Sequence, residues 1–260
     1  MNNAKLMLEI NHMTISFGGL KAADDISIQI HQGEFVGLIG PNGAGKTTFF
    51  NSITGNVTPT SGTIEFDGHS LVKKSPDKIS HYGVSRTFQN IRIFPRMTVL
   101  DNVMIPMHSK PTYSMWTAML GLPKVKAERA RMEERAMKHL RDLDLDQYCD
   151  REAGTLAYGL QRRLEIARAL AASPKMLLLD EPAAGMNPQE TLELAAFIHE
   201  LRDKYGLTIF LIEHHMDLVM RISDYIYVID FGSKIAEGIP QEIQNNQHVI
   251  DAYLGVVEDE

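Results

Sequence analysis

Gly40-Pro41-Asn42-Gly43-Ala44-Gly45-Lys46-Thr47 sets a glycine four residues ahead of Gly-Lys-Thr, the spacing of a loop that holds phosphate groups. The chemistry needs these residue types at these places. Glycines at 40, 43 and 45 let the backbone turn its N–H groups inward, where they and the positive end of a following helix can hold a polyphosphate. Lys46 reaches the β- and γ-phosphates, and Thr47 offers a hydroxyl to Mg²⁺. The flanks supply the context: Phe35-Val36-Gly37-Leu38-Ile39 enters as a buried strand, and Thr48-Phe49-Phe50-Asn51-Ser52-Ile53 leaves as a helix.

A second centre lies at Lys175-Met176-Leu177-Leu178-Leu179-Asp180-Glu181-Pro182, an apolar strand run that ends in two carboxylates. Adjacent side chains at a strand end point in different directions and can take different jobs. Asp180 suits Mg²⁺, directly or through water, and Glu181 suits polarising an attacking water. The strand Thr208-Ile209-Phe210-Leu211-Ile212 delivers Glu213-His214-His215. In a parallel sheet the strand ends face the ligand, so His214 lies where a γ-phosphate is sensed, and His215 reads as a bystander. Ser85-Arg86-Thr87-Phe88-Gln89 ends in a glutamine that, by itself, reads as a solvated polar residue, but the upstream phosphate site would benefit from its side-chain oxygen near Mg²⁺ and water. Thr155-Leu156-Ala157-Tyr158-Gly159, ahead of a helix over 160–172, is a second candidate anion site.

The elements that must position these groups are legible from periodicity. Ile26, Ile28 and Ile30 alternate with polar residues within a stretch, 8–35, that reads as an antiparallel layer of strands. Beyond residue 92 strand signals vanish, and Met132, Ala136, Leu140 and Leu143 recur at helical spacing beside a charged face. Asn187-Pro188 reads as an N-cap with proline at the first helical position, opening a helix with Leu194, Phe197, Ile198 and Leu201 inward and Gly206 past its end. Residues 225–235 read as a hairpin and 249–254 as a final helix. The stripe 113–120, which holds Trp116, is expected to pack locally.

The chain has 260 residues, 44% of them hydrophobic, a formal net charge of −7 and one cysteine, Cys149. That is enough apolar material for a core without staples, a lone thiol expected to be inert, and a balance that argues against a broad basic face for nucleic acid. No apolar run approaches the roughly 18 residues of a membrane span, and the N-terminus carries no signal-peptide pattern. Membrane attachment is therefore expected only through a protein partner.

Taken together, the phosphate loop, Gln89, the 155–159 stretch, Asp180-Glu181 and His214 resemble the nucleotide-binding subunits of ATP-binding cassette (ABC) transporters, over about residues 8–254. Phe17-Gly18-Gly19-Leu20, Val84-Ser85-Arg86-Thr87-Phe88-Gln89, Leu156-Ala157-Tyr158-Gly159, Ala183-Ala184-Gly185-Met186-Asn187-Pro188 and Asp251-Ala252-Tyr253-Leu254-Gly255 are similar, more narrowly, to the LivG ATPases of bacterial branched-chain amino acid uptake. Relatives of that subgroup import urea or amides, or export lipopolysaccharide.

The resemblance implies an α/β fold: a P-loop NTPase core over 8–91 and 156–240, with a parallel sheet flanked by helices and an antiparallel β layer. An inserted helical subdomain would span 92–155 and a C-terminal helical tail 241–260. It implies ATP and Mg²⁺ as ligands. Phe17 would stack on adenine, and Gly40, Pro41, Asn42, Gly43, Ala44, Gly45, Lys46, Thr47 and Thr48 would hold the phosphates. Thr47, Gln89 and Asp180 would surround Mg²⁺, Glu181 would be the general base and His214 the γ-phosphate switch residue. Residues 184–187 would couple two sites across a dimer. ATP would be sandwiched against Ala157, Tyr158 and Gly159 of a second ABC ATPase subunit, identical or not. Further partners would be membrane permease subunits and, indirectly, a solute-binding protein, with no nucleic acid, at the cytoplasmic face of the cell membrane.

The usual signature Leu-Ser-Gly-Gly-Gln departs here at Ala157, Tyr158 and Leu160, which removes a serine hydroxyl from the γ-phosphate but keeps the backbone N–H groups. Asn187 and His215 stand where aspartates are usual. A soluble cassette acting on DNA or ribosomes would call for two fused cassettes, a long coiled coil or a basic face. A regulatory module with little hydrolysis, the reading that the altered signature suggests, would bind ATP tightly with negligible turnover even in the assembled complex, and the intact Glu181 and His214 count against it.

Overall fold

The computed structural model describes residues 4–109 and 123–254. The stripe at 113–120, with Trp116, lies outside the described residues. Contacts divide the chain into two compact units: one takes the chain up to Gln89 together with the chain from Lys175 onward, and the other runs Asn90–Pro174.

The first unit holds two sheets. β1 (Leu6–Phe17), β2 (Leu20–His31), β4 (Ser61–Phe66) and β5 (His69–Ser70) form an antiparallel sheet in the order β2-β1-β4-β5. Its buried face carries Leu8, Ile10, Met13, Ile15, Ile26, Ile28 and Ile30. Ile10 and Met13 are an odd number of residues apart, so strict alternation would put them on opposite faces. A register shift between them, with His12 at φ 50, inserts the extra residue that keeps both inside.

The second sheet has the order β10-β9-β3-β8-β7-β6. β3 (Phe35–Ile39), β6 (Val84–Arg86), β7 (Met176–Asp180), β8 (Thr208–Ile212) and β9 (Tyr225–Asp230) run parallel, and β10 (Ser233–Gly238) closes the edge as an antiparallel hairpin partner. Every residue of β3, β7 and β8 is buried, which explains their unbroken apolar runs. The register levels their ends: Leu38 and Asp180 are both paired with Ile212.

α1 (Lys46–Ile53) packs Phe49 and Phe50 on Phe210 of β8, with ring centroids 6.2 and 5.0 Å apart. α2 (Pro76–Tyr82) leads into β6. α6 (Pro188–Tyr205) begins at a capping box in which Asn187 and Glu190 satisfy each other's backbone N–H, and ends at Gly206 with φ 62. α7 (Met216–Ile222) follows β8, and α8 (Pro240–Gln244) and α9 (Gln247–Leu254) form the tail.

Among the described residues the second unit is helical: α3 (Val99–Met104), α4 (Pro123–Asp142) and α5 (Tyr158–Ala171), with 3-10 turns at Ile105–Ser109, Asp146–Tyr148 and Ala153–Thr155. Met132, Ala136, Leu140 and Leu143 are buried as their spacing predicts. The boundary differs from the expected 92–155. α5 packs against α3 and α4 and so counts with this unit, whereas the resemblance implies a core that resumes at 156. The reason is its buried stripe of Leu164, Ala167, Leu170 and Ala171, together with a fully buried Arg162 that pairs with Glu165 at 2.7 Å. Among the described residues no helix is long and apolar enough to cross a membrane.

Asp67-Gly68 turns the β4–β5 hairpin with positive φ at both positions. Asp67 also accepts side-chain hydrogen bonds from Lys175 and Lys5, which hold its carboxyl down at about 2 against an ordinary 3.8. A carboxyl depressed in this way contributes stability that is complete above about pH 4 and is lost as pH falls toward 2. Asp67→Asn is expected to melt at a lower temperature than the wild type at pH 7, with the gap closing between pH 4 and 2. Thermal denaturation across that range checks this, and a gap independent of pH contradicts it.

Candidate active site

The loop between β3 and α1 is shaped by glycines that admit no side chain. A Cβ at Gly40 would lie 1.9 Å from the Ile229 carbonyl oxygen, and one at Gly45, where φ is +97, would lie 2.0 Å from that of Ala22. The close approach brings the loop down onto β9 and β2, and α1 starts at Lys46 with its N-terminal N–H groups directed into the turn. Lys46 is only 5% exposed, and its Nζ donates to the carbonyls of Gly40 (2.6 Å) and Pro41 (2.8 Å). Burial pushes its ammonium pKa down, while nearby Glu181 and Asp180 oppose that shift. A cavity of about 240 Å³ opens over the loop, lined by residues 42–48 together with Glu181 and His214.

Glu181 follows the last residue of β7 and holds a left-handed backbone, φ 46, a conformation that costs a non-glycine residue about 1–3 kcal/mol. Its N–H donates to the Ile212 carbonyl at 2.9 Å, which fixes it against the end of β8. The carboxylate is then gripped on both oxygens: Gln89 Nε2 donates to Oε2 at 2.6 Å, and His214 Nε2 lies 2.6 Å from Oε1. An ionised carboxylate can only accept, so the hydrogen of that second bond belongs to the imidazole.

Asp180, 3% exposed, faces the other way, as adjacent strand-end side chains must. Its Oδ2 accepts from Arg86 Nη2 at 2.6 Å, and Arg86 Nη1 donates to Asn51 Oδ1 at 2.7 Å. The guanidinium also lies over the rings of Phe88 (5.0 Å) and Phe50 (5.7 Å). Neither Arg86 nor Glu213 is assigned a role by sequence reasoning. Glu213 is 1% exposed and accepts from the backbone N–H groups of Ala183, His214 and His215. His215 thus has a partner too, its Nδ1 lying 3.1 Å from Glu213 Oε2.

The structure therefore brings together residues 40–48, Gln89, Asp180, Glu181 and His214. Phe17 sits 53% exposed beside the β1–β2 turn, outside the cavity lining. Ala157 is the N-cap of α5, with Tyr158 and Gly159 exposed in its first turn, in the helical unit. The Cys149 thiol is pushed up by burial and by Asp150, which keeps it from being a reactive thiolate.

The model of the ABC transporter family matches residues 23–184, and that of the branched-chain amino acid ATP-binding cassette transporter matches residues 233–259. The chain is 44% identical to the high-affinity branched-chain amino acid transport ATP-binding protein BraF of Pseudomonas aeruginosa, over 96% of this chain and 98% of that protein. It is 45% identical to LivG of Escherichia coli, which carries the same description, over the same shares. Among solved structures it is similar to the ADP conformation of an ATP-binding cassette of an ABC transporter: 34% identity, TM-score 0.83, covering 96% of this chain and 99% of that one. A nucleotide-free cassette from an ABC transporter is 36% identical, with a TM-score of 0.82 over 95% and 98%. The chain belongs to the ABC transporter family, as one of its ATP-binding, ATP-hydrolysing cassettes.

Proposed function

We propose that this chain is the ATPase subunit of a branched-chain amino acid importer, working beneath membrane permease subunits and paired with a second cassette. The observation that carries the chemistry is the Glu181 carboxylate, held by Gln89 and His214 at the wall of the cavity over the phosphate loop. The cargo is supported by the likeness to BraF and LivG and by the match of the tail, 233–259. A solute-binding protein would deliver that cargo to the permease, and the chain would sit on the cytoplasmic face of the membrane.

In this reading Phe17 stacks on adenine, and the N–H groups of residues 42–48 with the α1 N-terminus take the polyphosphate. Lys46 is held by two neutral carbonyls, partners that a phosphate oxygen can displace because it brings the opposite charge. Glu181 accepts the proton of the water that attacks the γ-phosphate, and His214 orients Glu181 and meets the γ-phosphate. Gly159 and the first turn of the partner cassette's α5 close the site from the far side.

Mg²⁺ fits the donor set: a Thr47 hydroxyl, an Asp180 carboxylate and the oxygen of the Gln89 amide, whose nitrogen is the atom bonded to Glu181. When bound it would neutralise charge on the phosphate oxygens. Arg86 holds the buried Asp180 carboxylate in one position through its 2.6 Å hydrogen bond.

In the complex purified with its permease and second cassette, Glu181→Gln is expected to lower kcat by about 10²-fold or more with ATP binding retained, since that is the scale of general-base catalysis. Wild-type turnover should rise with the leucine-loaded binding protein. Turnover unchanged in Glu181→Gln would overturn the catalytic assignment, and stimulation by another solute alone would overturn the cargo. Arg86→Met leaves a buried carboxylate unpaired and is expected to cost about 3–5 kcal/mol in denaturant unfolding, partly recovered by adding Asp180→Asn. A loss below about 1 kcal/mol would place the pair among weak surface bridges instead.

A further inference from the structure

Glu213 is buried as deeply as a core leucine, and its charge is answered by N–H groups from two different loops. Oε1 accepts from the backbone of Ala183 at 2.8 Å. Oε2 accepts from the backbone of His214 at 2.9 Å and of His215 at 3.3 Å, and from the His215 ring at 3.1 Å. Removing a carboxylate from water costs several kcal/mol unless donors saturate it, so these bonds hold the group in one position. Ala183 belongs to the turn that follows Glu181, and His214 and His215 begin the loop that follows β8. The same two loops meet again on the cavity side, where His214 Nε2 lies 2.6 Å from Glu181 Oε1.

We propose that Glu213 is a positioning residue for ATP hydrolysis: by tying the 181–183 turn to the 213–215 loop, it sets the His214 ring against the Glu181 carboxylate. The inference rests on the roles given above to Glu181 and His214. One oxygen serves each loop. If Oε2 releases the His214 N–H, the ring loses its fixed base, and if Oε1 releases Ala183, the turn holding Glu181 at φ 46 loses its anchor. A displacement of about 1 Å between catalytic groups can cost on the order of a hundredfold in rate. Glutamine at 213 keeps one acceptor oxygen and turns an NH₂ toward a backbone N–H, so it frees one loop while preserving volume. Aspartate keeps both acceptors on a stem one methylene shorter.

The test is a double-mutant cycle in the assembled transporter, read by single-turnover hydrolysis together with binding of a fluorescent ATP analogue. Glu213→Gln is expected to lower the hydrolysis rate about tenfold while the Kd for nucleotide moves less than about twofold, and Glu213→Asp should restore part of the rate. In a His214→Ala background Glu213→Gln is expected to add less than about twofold, because the residue it acts through is gone. Full additivity of the two losses, or a loss of nucleotide binding equal to the loss of rate, would overturn the proposal in favour of plain structural support. If Glu213→Gln does not assemble, the same cycle with Glu213→Asp carries the same criteria. Should His214→Ala and Glu181→Gln both retain turnover, it is the underlying catalytic reading that fails. If they lose it while Glu213 variants do not, only the positioning role fails.

Discussion

Leu38 of β3 and Asp180 of β7 are both registered against Ile212 of β8, and the chemistry of this molecule depends on that alignment. It brings the phosphate loop, Glu181 and His214 to one edge of the sheet within a residue or two of their strand ends. Because side chains alternate along a strand, a one-residue slip of β7 would exchange the directions of Asp180 and Glu181. The first would then lose Arg86, and the second would lose Gln89 and His214. Every residue of β3, β7 and β8 is buried, so the strands that build the core are the same strands that carry the carboxylates and the phosphate loop at their ends.

Lys46, Arg86, Asp180, Glu181 and Glu213 are all nearly removed from water at this edge, an arrangement that would be prohibitive if the charges were left to find one another. Each instead has a separate answer. Arg86 is committed to Asp180, Glu181 to an amide and an imidazole, and Glu213 to backbone N–H groups and the His215 ring. Lys46 is held by carbonyls of its own loop rather than by a carboxylate. That separation keeps the cation from being neutralised internally by Asp180 or Glu181, both near enough to raise its pKa against the effect of burial. A polyphosphate then meets an ammonium whose existing partners are dipoles.

Much of this was legible in the sequence because the signals are local. The apolar runs of β3, β7 and β8, the glycines of the phosphate loop, and the Asn187 cap with Glu190 three residues on can all be read within a short window. What escaped depends on strand order. Arg86 and Asp180 are 94 residues apart and meet only because β6 lies beside β7, a neighbour relation that no periodicity encodes. Glu213 reads as a polar residue at a strand end, and only the turn carrying Ala183, folded back over it, makes it a buried hub. The contact-based edge of the helical unit, Pro174, differs from the expected 155 for the converse reason. The composition changes near residue 92 and again near 156, but the apolar stripe of α5 is complementary to α3 and α4.

The return boundary at Gln89 has a chemical meaning. It is the last residue of the nucleotide unit, with Asn90 opening the helical one, and its side chain ends on Glu181 Oε2. The chain therefore leaves the sheet through a residue already bonded to the group that would activate water. Upstream, Thr87 N–H donates to the Leu178 carbonyl at 2.9 Å, so the segment is pinned to β7 two residues before Gln89. Displacing Gln89 must either break its bond to Glu181 or move the carboxylate. Its hydrogen bond to a charged acceptor is of the stronger kind, worth about 1.5–3 kcal/mol, enough to change the population of an aligned carboxylate by more than tenfold. The alignment of Glu181 thus depends on where the chain places Gln89, 92 residues away in sequence.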